Sequence, residues 1–190
     1  MTRAHHKIEQ TSQAKKPTYK SVPAIIVFIA IATTCLAADL ISKHYVFSTL
    51  MNHPDQSVTV IGGFMKFSLS TNSGIVFGIL APAWAVMSAT VVATVTVIVL
   101  FATSLPRQRL LHAALAMVLA GALGNAYDRL FSRVTFPGDM APRVGQVRDF
   151  IDVYVIGYPI FNVADILLVV GVGLILLESL RDLIRQRRNK

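Results

Sequence analysis

Long apolar runs alternate with polar segments along this chain, at residues 22–41, 81–103, 110–127 and 159–177. Each is close to the roughly 20 residues that an α-helix needs to cross a hydrocarbon core about 30 Å thick. The pattern predicts four transmembrane helices in one bundle. Between the first two runs, residues 57–61 and 64–70 flank Gly62-Gly63, the pattern of a β-hairpin closed by a two-residue turn. The expected fold is an all-α membrane protein, with four spanning helices and a small hairpin or sheet on the outer surface. Residues 1–21 are polar, lack apolar periodicity and read as a flexible cytoplasmic tail; residues 22–180 carry the spans, and 181–190 form a basic tail. In the third run Ala116, Ala120 and Gly124 recur every four residues, a stripe of small side chains that lets helix backbones approach closely.

Composition supports the membrane reading, and charge adds orientation. With 54% hydrophobic residues, 15% charged and a mean hydropathy of +0.58, the chain is too apolar for a soluble domain of 190 residues. Twelve of the eighteen Lys and Arg lie before the first run, between the second and third, or after the fourth. The two longer connections, taken with the outer ends of the runs that flank them, hold the other six against seven of the ten acids, so the positive-inside rule places both termini in the cytoplasm and those connections outside. The pI near 10 is then a topology signal, reinforced by contact with anionic lipid, and calls for no nucleic acid. The first run has the look of a secretory signal, but it is long, ends in Asp39 and Lys43, and precedes three more spans, so it is expected to be retained. Cys35 lies within it, is the single cysteine and reads as a packing residue.

Polar residues gather at the outer ends of the spans. Asp39 and Lys43, at i and i+4, share one helix face and can pair. Asn125, Asp128 and Arg129 share another. Asn162 and Asp165 lie at i and i+3 near the start of the fourth run, and Asn72 and Gly74 precede the second. Each group has a structural reading as well: an ion pair at a helix end, capping and interhelical hydrogen bonds, a buried protonated or paired aspartate, a turn. An ionisable group inside a span nevertheless costs roughly 2.5 to 3.5 kcal/mol, so Asp165 in an otherwise uncharged run marks a polar pathway or a reaction site.

Metal chemistry has little to work with, since His112 is solitary in the third run and His5 and His6 sit in the tail. Ser42 and Lys43 are adjacent on a helix and point apart, which argues against a serine–lysine pair. Two aspartates brought together can share one proton, so that one activates water while the other donates to a carbonyl oxygen. Asp149, in the outer connection, and Asp165 form the natural pair, with Asp152 close enough in sequence to compete for the role. Two other classes stay open. A proton-coupled transporter would use Asp165 and Asp39 for protons and Arg129 for an anion, but it should place them near the midplane. A non-catalytic scaffold would use the same cluster only to lock helices together.

Five motifs stand in a fixed order: Asp39-Leu-Ile-Ser-Lys43, Asn72-Ser-Gly74-Ile-Val-Phe77, Gly121-Ala-Leu-Gly-Asn125-Ala-Tyr-Asp128-Arg129, Val147-Arg-Asp149-Phe150-Ile151 and Phe161-Asn-Val-Ala-Asp165. In this order, across four spans, the stretch 35–177 resembles the lipoprotein signal peptidases, also called signal peptidase II. The resemblance implies an aspartic endopeptidase of the bacterial inner (cytoplasmic) membrane, needing no cofactor or metal. Its substrate would be a diacylglyceryl-modified prolipoprotein held in membrane lipid, cut just before the modified cysteine, and globomycin would inhibit it. Carried across, the catalytic aspartates fall on Asp149 and Asp165. Asn72, Gly74, Asn125, Arg129 and Asn162 fall on the surrounding polar residues that hold substrate and orient the carboxylates, and Asp39, Lys43 and Asp128 look like supports. The segment 130–147 is longer than the usual link between the third and fourth motifs.

Overall fold

A computed structural model describes residues 17–74 and 83–188. Four helices make the bundle: α1 (Val22–Leu50), α2 (Ala83–Thr103), α3 (Arg109–Phe131) and α4 (Val163–Arg188). All four are long and apolar enough to cross a membrane. Large side chains such as Ile26, Ile29, Val92, Val95, Ile98, Val169, Val172 and Leu176 are exposed along α1, α2 and α4. So much outward apolar surface requires lipid rather than water, and helices suit lipid because they satisfy their own backbone groups.

Helix α3 is the centre of the bundle and packs against each of the other three. Its small residues make this possible. Ala116 and Ala120 are fully buried, and a Cβ on Gly121 would meet the Ala164 carbonyl oxygen of α4 at 2.5 Å. A Cβ on Gly171 of α4 would in turn lie 2.9 Å from Ala114 O of α3. The expected stripe therefore runs along the seams, with Gly124 turned to α1, where an added Cβ would strike the Asp39 carboxylate.

Helix α1 runs on well past the end of its apolar stretch at Ile41. Its 29 residues span about 44 Å at 1.5 Å per residue, so its last turns leave the bundle and enter a second, smaller core. There Val46, Phe47 and Leu50 pack with Val134, Phe136, Phe150 and Ile151 beneath an antiparallel sheet. The sheet has the order β1 (Ser57–Ile61), β2 (Met65–Asn72), β5 (Val147–Asp152). The first two strands are the expected hairpin, but three residues rather than two join them, Gly62, Gly63 and Phe64, with Gly63 at φ +74° and a register shift between Thr59 and Ile61. The third lies in the outer connection, where the sequence shows no strand pattern. Its side chains are buried on both faces or nearly so, which erases the alternation that marks a strand in sequence. Opposite β2, it pairs Asp149 with Ser70 and Arg148 with Thr71. The long segment before it carries a short ribbon of β3 (Arg133–Val134) and β4 (Arg143–Val144).

At the other end of the bundle, Phe28 of α1 stacks on Phe101 of α2 with ring centroids 4.0 Å apart. Thr18, expected in the flexible tail, begins a 3-10 turn (Thr18–Lys20) and is fully buried. Its N–H and hydroxyl both donate to Ser104 O, at 3.0 and 2.9 Å. A buried threonine with satisfied polar groups is invisible to a search for apolar period.

The seam between α3 and α4 yields a paired prediction. Gly121→Ala forces its Cβ onto backbone and should destabilise the protein by about 1 to 3 kcal/mol. Gly173→Ala, on the same α4 but with nothing within 4 Å, should be neutral. Thermal unfolding in one detergent compares them; equal melting would mean that the close approach of α3 and α4 is dispensable.

Candidate active site

The site is built on the first turn of α4. Asn162 precedes the helix, and its Oδ1 accepts the N–H of Asp165 at 3.1 Å, while Asp165 Oδ2 accepts the N–H of Asn162 at 3.1 Å. This reciprocal capping box satisfies two N–H groups that a helix start leaves open. A third, on Ala164, donates to Asp39 Oδ1 of α1 at 2.8 Å. Asp165 is thereby fixed in rotamer and position by the same contacts that begin its helix.

Asn162 also carries the link to the second carboxylate. Its Nδ2 donates to Asp149 Oδ1 at 2.6 Å and to Asn125 Oδ1 at 3.1 Å. Asn125 Nδ2 donates to the free oxygen of Asp165, Oδ1, at 2.9 Å. Asp149 from β5, Asp165 from α4 and Asn125 from α3 thus meet around one buried amide. Asp149 is 2% exposed, and its carboxyl is pushed up to about 7, first by burial and then by the charge of Asp165. The Asn162 hydrogen bond, the Lys43 charge and Asn72 pull the other way. Asp152, three residues along the same strand, points to the opposite face and pairs with Lys66 at 3.5 Å.

Beneath the carboxylates lies Lys43, fully buried. Its ammonium is 2.8 Å from Asp39 Oδ2, 3.3 Å from Asp128 Oδ2 and 3.0 Å from Asn125 Oδ1. With three oxygens around it the lysine is fully engaged, and the Ser42 hydroxyl donates to its own helix at Asp39 O, so these two residues make no serine–lysine pair. At the rim, Arg129 Nη2 donates to Gly74 O at 2.8 Å, and Asn72 Oδ1 accepts the Gly74 N–H at 2.8 Å in a side-chain turn. The remainder of that motif, 75–77, lies outside the described residues, as do residues 81 and 82 of the second apolar run. The Arg129 charge is within electrostatic range of Asp149, Asp165 and Asp128.

The residues that the sequence groups as a site, Asp39, Lys43, Asn72, Gly74, Asn125, Asp128, Arg129, Asp149, Asn162 and Asp165, therefore fall at the sheet end of the bundle in one connected set, while Asp152 faces away from it. Sequence reasoning missed Arg148. Its Nε and Nη2 donate to Asp128 Oδ1 at 3.0 and 2.6 Å, and its backbone N–H to Asp128 Oδ2 at 3.0 Å. The signal was a cation directly before Asp149, but without the strand its direction was not legible. Next to Asp165, the outer face of α4 holds an apolar recess of about 240 Å³, lined by Tyr158, Phe161, Ile166, Val169 and Val170 together with that carboxylate. Val169 is 72% exposed, so the recess opens where lipid would lie.

Comparison with known proteins places this arrangement. The family model described as signal peptidase (SPase) II matches residues 31–181. A lipoprotein signal peptidase of Geobacter sulfurreducens is 35% identical over 183 residues, covering 92% of this chain and 98% of its own. That of Moorella thermoacetica is 34% identical over 146 residues, 76% of this chain and 87% of its own. Among solved structures, a bacterial membrane enzyme determined by the in meso method at 2.3 Å matches with a TM-score of 0.71 and 28% identity, over 90% of this chain and 94% of that one. With four apolar helices, the same fold and a match over most of its length, this multi-pass membrane protein belongs to the lipoprotein signal peptidase (signal peptidase II) family of proteases.

Proposed function

We propose that the protein is an aspartic endopeptidase that cuts bacterial prolipoproteins just before the diacylglyceryl-modified cysteine, with Asp149 and Asp165 as its catalytic pair. The observation that carries this reading is the convergence of two carboxylates on Asn162, one of them beside an apolar recess open to lipid. Near neutral pH the pair holds one proton between its two members, a property of the dyad rather than of either residue. The ionised carboxylate takes a proton from water as the water oxygen attacks the scissile carbonyl carbon, and the protonated one donates to the carbonyl oxygen. Collapse of the tetrahedral diol breaks the C–N bond, and the leaving nitrogen takes a proton, so that one water is consumed. Asn125 and Asn162 hold the two carboxylates, and Arg129 with the Asn72–Gly74 turn offers donors for the substrate backbone.

Recognition on this reading is largely hydrophobic. Acyl chains and signal helix stay in lipid against α4, each buried methylene contributing about 0.8 kcal/mol. The charge distribution favours both termini in the cytoplasm of a bacterial inner membrane, with the sheet and dyad on the outer side where water is available. Residues 1–21 and 181–190 are then cytoplasmic flanks of a peptidase domain at 22–180. Globomycin-type cyclic peptides are expected inhibitors.

The decisive assay is incubation with a lipid-modified prolipoprotein and mass spectrometry of the new N-terminus. Asp149→Asn and Asp165→Asn should each lower turnover by roughly 10²-fold to 10⁴-fold or more, whereas Asp152→Asn, off the dyad, should be mild. Turnover retained in Asp149→Asn but lost in Asp152→Asn would move the site along β5.

The raised Asp149 carboxyl sets a pH dependence. Its proton is present below about 7 and lost above, so kcat/KM should fall as pH rises through that value, approaching tenfold per unit. An alkaline limb lying instead several units higher would exclude Asp149 as the group whose proton is required.

Arg129 supplies a fork that lysine cannot reproduce. Arg129→Lys should therefore impair cleavage about tenfold or more, while Arg133→Lys, on the exposed ribbon, should leave it near normal. Equal rates for the two variants would reduce Arg129 to a bystander charge.

A further inference from the structure

The charged residues under the dyad form a line in which sign alternates. Asp39 holds Lys43, Lys43 lies against Asp128, and Asp128 takes the guanidinium and the backbone N–H of Arg148. The first three side chains are fully buried and that of Arg148 is 15% exposed, so bulk water screens them little and position follows from partners. Lys43 is the member that reaches the dyad, through Asn125, whose amide holds Asp165. Asp128 competes for the same ammonium, and Arg148 relaxes that competition by supplying three donors of its own.

We infer that Arg148 is a positioning residue for the dyad: by occupying Asp128 it leaves Lys43 on Asn125, and so fixes the cation that faces Asp149 and the amide that holds Asp165. The inference rests on the aspartic reading above. Arg148 itself touches neither carboxylate. Neighbours on a strand face opposite ways, so while Asp149 turns to Asn162, Arg148 turns to Asp128 and to the Phe47 ring, 5.9 Å from its guanidinium. The charged groups around Asp149 are Asp165 of α4, Asp39 and Lys43 of α1, Asp128 and Arg129 of α3, and Arg148 on its own strand; Lys66 and Asp152 pair with each other at the far end of β2 and β5. Removing the Arg148 charge makes this set one unit more negative and draws Lys43 toward Asp128. Asp149 and its partner then hold their proton more tightly.

The test is kcat/KM against pH, with a lipid-modified precursor, for the parent, Arg148→Met, Arg148→Lys, and Arg148→Met combined with Asp128→Asn. Arg148→Met should move the whole profile to higher pH by about one unit. Arg148→Lys keeps the charge and should leave the profile in place even if the rate falls. The double variant removes both charges and should bring the profile back. The backbone bond from residue 148 to Asp128 and the pairing of β2 with β5 are unaffected in both single variants, and thermal unfolding checks that they fold. If the double variant does not fold, the contrast between Met and Lys decides. A lower rate on an unmoved profile, a downward move, or an equal move in Met and Lys overturns the positioning role. None of these outcomes touches the dyad itself, which would fall instead if Asp149→Asn kept its activity.

Discussion

Asp39, Lys43 and Asp128 are completely buried, and a buried charge that loses its partner costs several kcal/mol, so each must be met by an opposite charge or a hydrogen bond in fixed geometry. That requirement organises the sheet end of the molecule. One oxygen of Asp39 binds Lys43 and the other caps Ala164, so a single side chain of α1 is tied both to its own helix and to the start of α4. Gly124 gives that carboxylate room beside α3. Three helices are thereby registered to one another by polar contacts, which in lipid are needed for register because apolar faces slide at little cost.

The candidate dyad inherits its geometry from this arrangement. Asp165 is the third residue of a helix whose first turn is capped from two sides, and Asp149 is delivered by a strand paired to β2 along its length. Neither element alone can assemble the pair, since one carboxylate begins a spanning helix and the other lies in a sheet beyond the bundle. Asn162 joins them because its side chain serves both purposes, with the oxygen on the helix cap and the nitrogen on Asp149. Burial that strengthens these bonds also pushes the Asp149 carboxyl up from the usual carboxylate range.

Much of this was legible in the sequence for definite physical reasons. Apolar runs of spanning length, a Gly-Gly turn between alternating strands, and i, i+3 and i, i+4 spacings translate directly into helices, a hairpin and shared faces. The polar residues were found because polar groups in apolar runs are costly and therefore few. What failed to show depended on contacts between distant segments. Strand β5 lacks alternation because both of its faces are covered, Thr18 is buried by Ser104 eighty-six residues away, and Arg148 acquires its role only when β5 turns it onto Asp128. Even Asp152 was a fair rival to Asp149 until the strand placed the two on opposite faces.

The segment between Asp128 and Arg148 is closed at its base and anchored along its length. Its ends are held together by three hydrogen bonds between those two residues, so beyond Arg129 the chain between them forms a closed loop. Closing a flexible loop twice as long costs only about 0.6 kcal/mol more. Here part of that cost is offset locally: Phe136 and Val134 are buried in the small core, and Arg143 stacks on Phe136 while binding Asp139. On its exposed side the segment also reaches β2 beside the site, where Arg143 Nη1 donates to Thr71 Oγ1 at 3.3 Å, next to Asn72. A loop anchored in this way shapes the surface beside the sheet, while the buried charges of Asp39, Lys43 and Asp128 hold the polar cluster that carries the two carboxylates.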